Sequence, residues 1–237
     1  MRVRTFELAF EGLRLHAEAC SPGNNEADNE RDLLFLHGGG AATSSKGTRY
    51  LREDLAALGV HSVALDFSGH GRSGGRMEDA CLERRRQEAL RLVEGLQLPR
   101  PRALVATSMA GHVACRLLET LRPDALVLFC PAAYEAAAEK ARFGEPFRAV
   151  IRATRHHEDS PALQALQRFR GRVLCFYGSE DAVIPPAVQE GYARASACAR
   201  SVDLCTLDGA GHSLHGWIAG QPALRRAVVE RIMNLLQ

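Results

Sequence analysis

The chain has 237 residues, 46% of them hydrophobic and only 6% aromatic, enough for one large core built mainly from Leu, Val and Ala. Its 30 basic and 28 acidic residues leave a net charge of +2, a balance that gives no reason to expect nucleic acid or an anionic membrane surface as partner. No apolar run approaches the roughly 18–20 residues needed to span a bilayer, which argues against a membrane protein.

At the N-terminus, residues 3–9 and 13–19 alternate like strands on either side of FEG, predicting a hairpin and not a signal peptide. The polar stretch SPGNNEADNERD then reads as a surface loop. Beyond it, short apolar strands alternate with longer amphipathic helices. Strands are expected at 33–36, 62–67, 103–107, 125–129, 173–177 and 202–207. Helices are expected at about 47–58, 80–96, 109–121, 186–195 and 217–236. Such alternation requires crossover connections, hence an α/β fold with a mostly parallel central sheet and helices on both faces. In sheets of this kind function gathers at the carboxyl ends of the strands.

Three further features follow from the pattern. In ERRRQEALRLVEGL the apolar Leu82, Ala89, Val93 and Leu96 fall near helical spacing, which puts Arg84, Arg85 and Arg86 on a solvated face. The seven cysteines include no C-x-x-C pair and several lie in apolar runs, as expected of small buried hydrophobes in a reduced, cytoplasmic protein. Between Cys130 and Arg172, about forty residues carry helical pieces but no strand. They are expected to form a short cap, at about 131–170, on a single domain spanning 1–237. Within the cap, Phe143 and Phe147 are candidate substrate-binding residues that would select acyl length.

GHGRSG, Gly69 to Gly74, matches G-x-G-x-x-G after a strand, but no helix opens at once and the acid about 20 residues on, Glu94, falls inside a helix. A tight turn is expected there, not a dinucleotide site. The stretch that carries chemistry is RALVATSMAGHVACRLL, residues 102 to 118. It sets Ser108 between a buried strand and an amphipathic helix, the context of a G-x-S-x-G nucleophile elbow. Ala106 and Ala110 stand where glycines are usual, each adding one methyl to a crowded turn. The competing reading is a serine that merely caps a helix.

The remaining parts come in a telling order. HGGG, His37 to Gly40, ends a strand with backbone N–H groups available to an oxyanion. FYGSEDAVIPP puts Asp181 just past another strand end, and LDGAGHSLHGW puts His212 past the last. Only His212 and His215 follow Asp181, and His212 comes first after the small turn GAG. Serine, acid and histidine in that order is the α/β-hydrolase arrangement.

Through HGGG, DFSGHGRSGG, TSMAG, GSEDAVIP and GAGHS the chain resembles the α/β-hydrolase superfamily over nearly its whole length. The resemblance implies a catalytic set of Ser108, Asp181 and His212. It also implies an oxyanion hole made by the N–H groups of Gly39 and Met109, and a structural turn from Asp66 to Ser73. The activity so implied is hydrolysis of a small carboxylic ester through an acyl-enzyme, without a cofactor and with a small-molecule ester or thioester as partner. Thioesterase, peptidase and carbon–carbon bond hydrolase chemistry remain alternatives on the same residues. Serine at the elbow argues against dehalogenases and epoxide hydrolases, where similar proteins use aspartate, and against the cysteine of dienelactone hydrolases. A non-catalytic binding module on the same fold is the competing class. His37 and His70 are expected to hydrogen-bond neighbouring loops. His156 and His157, beside Glu158 and Asp159, lack a further ligand at metal spacing, so no metal is expected.

Overall fold

The structure, a computed structural model, describes residues 1–23, 33–98 and 100–237; most of the expected surface loop, residues 24–32, lies outside them. The first two strands, β1 (Arg2–Phe10) and β2 (Leu13–Ser21), form the expected hairpin. Glu11 and Gly12 between them take φ of 46° and 78°, the pair of positive values that lets a two-residue turn follow the twist of its strands.

Six more strands follow: β3 (Leu33–Leu36), β4 (Ser62–Leu65), β5 (Ala103–Thr107), β6 (Ala125–Phe129), β7 (Arg172–Gly178) and β8 (Ser201–Leu207). They complete one eight-stranded sheet in the order β1-β2-β4-β3-β5-β6-β7-β8. β2 pairs antiparallel with β4, and every pairing from β4 to β8 is parallel. Strands β3 and β4 are buried at every residue, as is β6. That explains why they read as unbroken apolar runs and not as alternating ones.

The helices are α1 (Arg49–Ala57), α2 (Leu82–Gly95), α3 (Met109–Leu121), α4 (Glu145–Ala153), α5 (Pro161–Gln167), α6 (Pro186–Ala195), α7 (Leu214–Ala219) and α8 (Pro222–Leu236). α1, α7 and α8 pack together as one layer, and α2, α3, α5 and α6 as another. Among the described residues no helix is long and apolar enough to cross a membrane.

Three expectations need correction. The single helix at 217–236 is two, because Pro222 has no N–H to continue a helix and opens a new one at its first turn. Arg85 is not on a solvated face. It is fully buried, with its guanidinium 2.9 Å from Glu88 Oε2, 2.8 Å from Ser68 Oγ and over the rings of Phe67 and Phe143 at 5.2 and 5.3 Å. A partner one helical turn away neutralises the charge, which is what allows burial.

The third concerns the cap. Its second half, α5, buries Ala162, Leu163, Ala165 and Leu166 and packs on α3 and α6 as part of the body. Phe143 and Phe147 lie in the core, their ring centroids 5.0 Å apart, with Tyr134 5.1 Å from Phe147. The Phe143 N–H donates to Ala80 O at 2.9 Å, tying the segment to the start of α2. Both rings are at least nine-tenths buried and pack on one another and on Tyr134.

Candidate active site

The carboxyl ends of β3, β5, β6, β7 and β8 converge on Ser108. The serine takes φ 52° and ψ −119°, a region that costs a non-glycine residue on the order of 1–3 kcal/mol and persists only where neighbours enforce it. Here they do. Ser108 N–H donates to Phe129 O at 2.9 Å, and its carbonyl accepts from Gly111 N at 2.8 Å and Ala132 N at 3.0 Å. A Cβ on Gly111 would sit 2.6 Å from Pro131 Cβ, so α3 comes this close to the β6 loop only because that residue is glycine. Ala106 and Ala110 are fully buried, their methyls accommodated by the packing.

The Ser108 side chain makes no capping hydrogen bond to α3. Its Oγ lies 3.0 Å from His212 Nε2, and His212 Nδ1 lies 2.9 Å from Asp181 Oδ2. Asp181 Oδ1 accepts from the N–H groups of Val183 at 2.8 Å and Ile184 at 3.1 Å. Burial works to raise this carboxyl, but the Cys130 thiol, the His212 ring and those two amides together outweigh it and hold the group below its ordinary value.

Cys130 was read from sequence as one more buried hydrophobe, and it is fully buried. It also occupies a positive φ of 43° one residue past β6, with its N–H held by Phe176 O at 2.8 Å. Burial and the adjacent carboxylate of Asp181 push its thiol up, so it stays protonated and donates. The donor atoms of Cys130, Asp181 and His212 lie within 4.8 Å of one another, a grouping that follows from these hydrogen bonds. The signal available in the sequence was positional, since the end of β6 lies between the strand ends that lead to Ser108 and Asp181.

The loop after β3 passes close over the elbow. A Cβ on Gly38 would lie 3.4 Å from Ser108 Cβ, and one on Gly39 would lie 2.9 Å from Met109 Sδ. Met109 is the first residue of α3, so its N–H has no intrahelical acceptor and sits at the positive end of the helix dipole. His37 fixes this loop. Its Nε2 accepts from Phe67 N at 3.0 Å, which leaves Nδ1 to donate to Gly38 O at 2.7 Å. Burial, with His70 alongside, lowers His37 to about 3 and keeps it in that neutral form. His70 Nδ1 lies 3.3 Å from Ser68 O.

The turn from Asp66 to Ser73 is structural. Asp66 accepts from Ser45 N at 2.6 Å and Arg72 N at 3.0 Å, and a Cβ on Gly71 would fall 2.2 Å from its Oδ2. His156, exposed at the surface, meets Glu158 Oε1 through its Nδ1 at 3.3 Å.

A cavity of about 500 Å³ opens beside Ser108 and His212. Its lining comes from the loop after β3 as far as Thr48, from Thr107 and Ser108, and from residues 212–216; none of it comes from 131–170. His215, weighed from sequence only as an alternative base, makes no contact with Ser108 in the hydrogen-bonded chain and instead meets Thr107 and Tyr50.

A mostly parallel sheet of this order with a strained residue between β5 and α3 defines an α/β-fold hydrolase. A family model described as the alpha/beta hydrolase family matches residues 33–172, and the chain belongs to that family. A comparison with curated proteins finds no match. Among solved structures it is similar to Est1E from Butyrivibrio proteoclasticus with ferulic acid bound, at 18% identity over 96% of this chain and 99% of that one, with a TM-score of 0.70. It is similar to a thioesterase domain from the curacin biosynthetic pathway at 17% identity, covering 98% and 100%, with a TM-score of 0.70. It is equally similar to the haloalkane dehalogenase DbeA from Bradyrhizobium elkani USDA94 at 19% identity, covering 99% of each chain, with a TM-score of 0.71. Likeness at these identities is of the fold.

Proposed function

We propose that the protein is a serine hydrolase that cleaves a small carboxylic ester through an acyl-enzyme. The observation that carries this reading is the hydrogen-bonded chain from Ser108 Oγ through His212 to Asp181, at 3.0 and 2.9 Å, on a serine held at φ 52°.

In the first step His212 Nε2 takes the Ser108 proton as Oγ adds to the ester carbonyl carbon. Asp181 holds the hydrogen on Nδ1 and stabilises the imidazolium that forms. The N–H groups of Gly39 and Met109 face the oxyanion, each such donor typically worth about 3–4 kcal/mol. The carbon–oxygen bond to the alcohol then breaks, and His212 protonates the leaving oxygen. In the second step water adds to the acyl-serine with His212 as base, and the bond to Oγ breaks to free the acid.

Serine chemistry favours acyl transfer over halide displacement. Attack of Oγ on an alkyl halide would leave a serine ether with no carbonyl for water to enter, and the enzyme would not turn over. A cavity of about 500 Å³ fits a small ester.

A fluorophosphonate should label the wild-type chain, and Ser108→Ala should lose both the label and roughly 10⁴–10⁶-fold in kcat on 4-nitrophenyl esters. Retention of label and activity by Ser108→Ala would remove the nucleophile assignment. Running the same variants on acyl-CoA esters distinguishes oxygen esters from thioesters as the better substrates.

A further inference from the structure

Beside Ser108 runs a second hydrogen-bonded chain that acyl transfer leaves unused. The Tyr50 hydroxyl, on α1, lies 3.2 Å from His215 Nδ1, and His215 Nε2 lies 2.8 Å from Thr107 Oγ1. The imidazole is held against the Phe129 ring at a centroid distance of 4.5 Å. Tyr50 is held in turn by Arg225, whose guanidinium stands 5.2 Å from the phenol ring and forms two hydrogen bonds with Asp54 at 2.5 and 2.6 Å. Thr107 and His215 line the cavity at Ser108, whereas Tyr50 is outside its lining.

The hydrogens along this chain can be assigned. A neutral imidazole has one N–H and one lone pair, and burial lowers His215 to about 4, so the ring is neutral at working pH. Burial also pushes the Tyr50 phenol up, so it keeps its proton. If Nδ1 carried the ring hydrogen, Thr107 would donate to Nε2. The hydroxyl hydrogen of Tyr50, a half-buried residue outside the cavity lining, would then lose His215, its hydroxyl's one hydrogen-bond partner among the described residues. If Tyr50 donates to Nδ1, Nε2–H donates to Thr107 Oγ1, and the one uncommitted hydrogen belongs to Thr107 at the cavity wall. An unpaired donor is penalised when shut in and useful where a ligand can meet it, which selects the second arrangement.

We infer that Thr107 is a specificity-determining residue whose hydroxyl hydrogen, turned into the cavity by the Tyr50–His215 pair, binds an oxygen acceptor on the acyl chain. Thr107 and Ser108 line the same cavity, so an acyl chain held there for attack by Ser108 can present an oxygen to Thr107. The preferred substrates are therefore esters whose acyl chain carries a hydroxyl or oxo group, over those of plain alkanoic acids. The inference rests on Ser108 being the nucleophile.

The test compares kcat/KM on the 4-nitrophenyl esters of butanoic, 3-hydroxybutanoic and 3-oxobutanoic acids, using the full chain. Each variant's preference is taken relative to wild type, which cancels differences in intrinsic ester reactivity. Thr107→Val should lower the preference for both oxygenated esters about 10- to 100-fold, one directed hydrogen bond's share. Thr107→Ser should retain it. Tyr50→Phe, on another element, should lower it part of the way by freeing the imidazole to turn its hydrogen, and it carries the test if Thr107→Val does not fold. An unchanged preference in Thr107→Val, or in Tyr50→Phe where only that variant folds, overturns the inference. Loss for the 3-hydroxy ester with retention for the 3-oxo ester also overturns it, since Thr107 would then be accepting. Failure of the nucleophile assignment looks different: Ser108→Ala would still hydrolyse all three esters.

Discussion

Two effects oppose each other at Asp181: burial favours the neutral carboxyl, while four donors favour the anion and win. One of those donors, the Cys130 thiol, can be removed without touching Ser108 or His212. In Cys130→Ala the Asp181 carboxyl loses one of the donors that hold it down, so it keeps its proton to higher pH. If Asp181 must be ionised for activity, the acid limb of kcat/KM should move upward, so that activity at mildly acidic pH falls. Cys130→Ser, which restores a donor, should bring the limb back. A limb that does not move in Cys130→Ala would mean the thiol merely fills space.

Among the elements, the stretch from β6 to β7 departs most from what its sequence suggests. A long insertion with aromatic residues and no strand reads as a lid, but its rings meet Tyr134 and the buried Arg85. The charge of Arg85 was misread for a related reason. Composition cannot say that Glu88 and Ser68 wait on the inner side of α2. Phe143→Ala or Phe147→Ala should accordingly cost stability, about 3–5 kcal/mol for a truncated core ring, read by urea unfolding. The ratio of kcat/KM between short and long acyl esters should stay near the wild-type value. A shifted ratio with unaltered stability would return these rings to the substrate.

For the molecule as a whole, the parts that were legible are those anchored to strand ends. Ser108 follows its apolar strand directly, and Asp181 and His212 follow theirs after short turns with glycine, so their positions on the sheet could be read without knowing which strands are neighbours. The contacts that were not legible depend on that neighbourhood. Cys130 matters because β6 lies between β5 and β7. Thr107, His215 and Tyr50 meet because residues distant in sequence, 165 positions apart for Tyr50 and His215, are brought to one edge of the sheet. No periodicity encodes such meetings.

The position of β8 has a consequence for how activity is lost. It is the outermost strand on its side, pairing with β7 alone, and Val202 and Leu204 on it are 42% and 45% exposed. Ser108 springs from a central strand with neighbours on both sides, but His212 hangs from this thinly covered margin. Local opening is cheapest where few apolar contacts must be given up, so β8 should part from the sheet well before the centre melts. In rising urea, ester hydrolysis should disappear while amides of β5 remain protected from hydrogen exchange and those of β8 do not. Loss of activity only in step with exchange at β5 would show the margin to be as firm as the core. Otherwise the enzyme carries a built-in failure point, inactivated by a detachable hem while most of the cloth is whole.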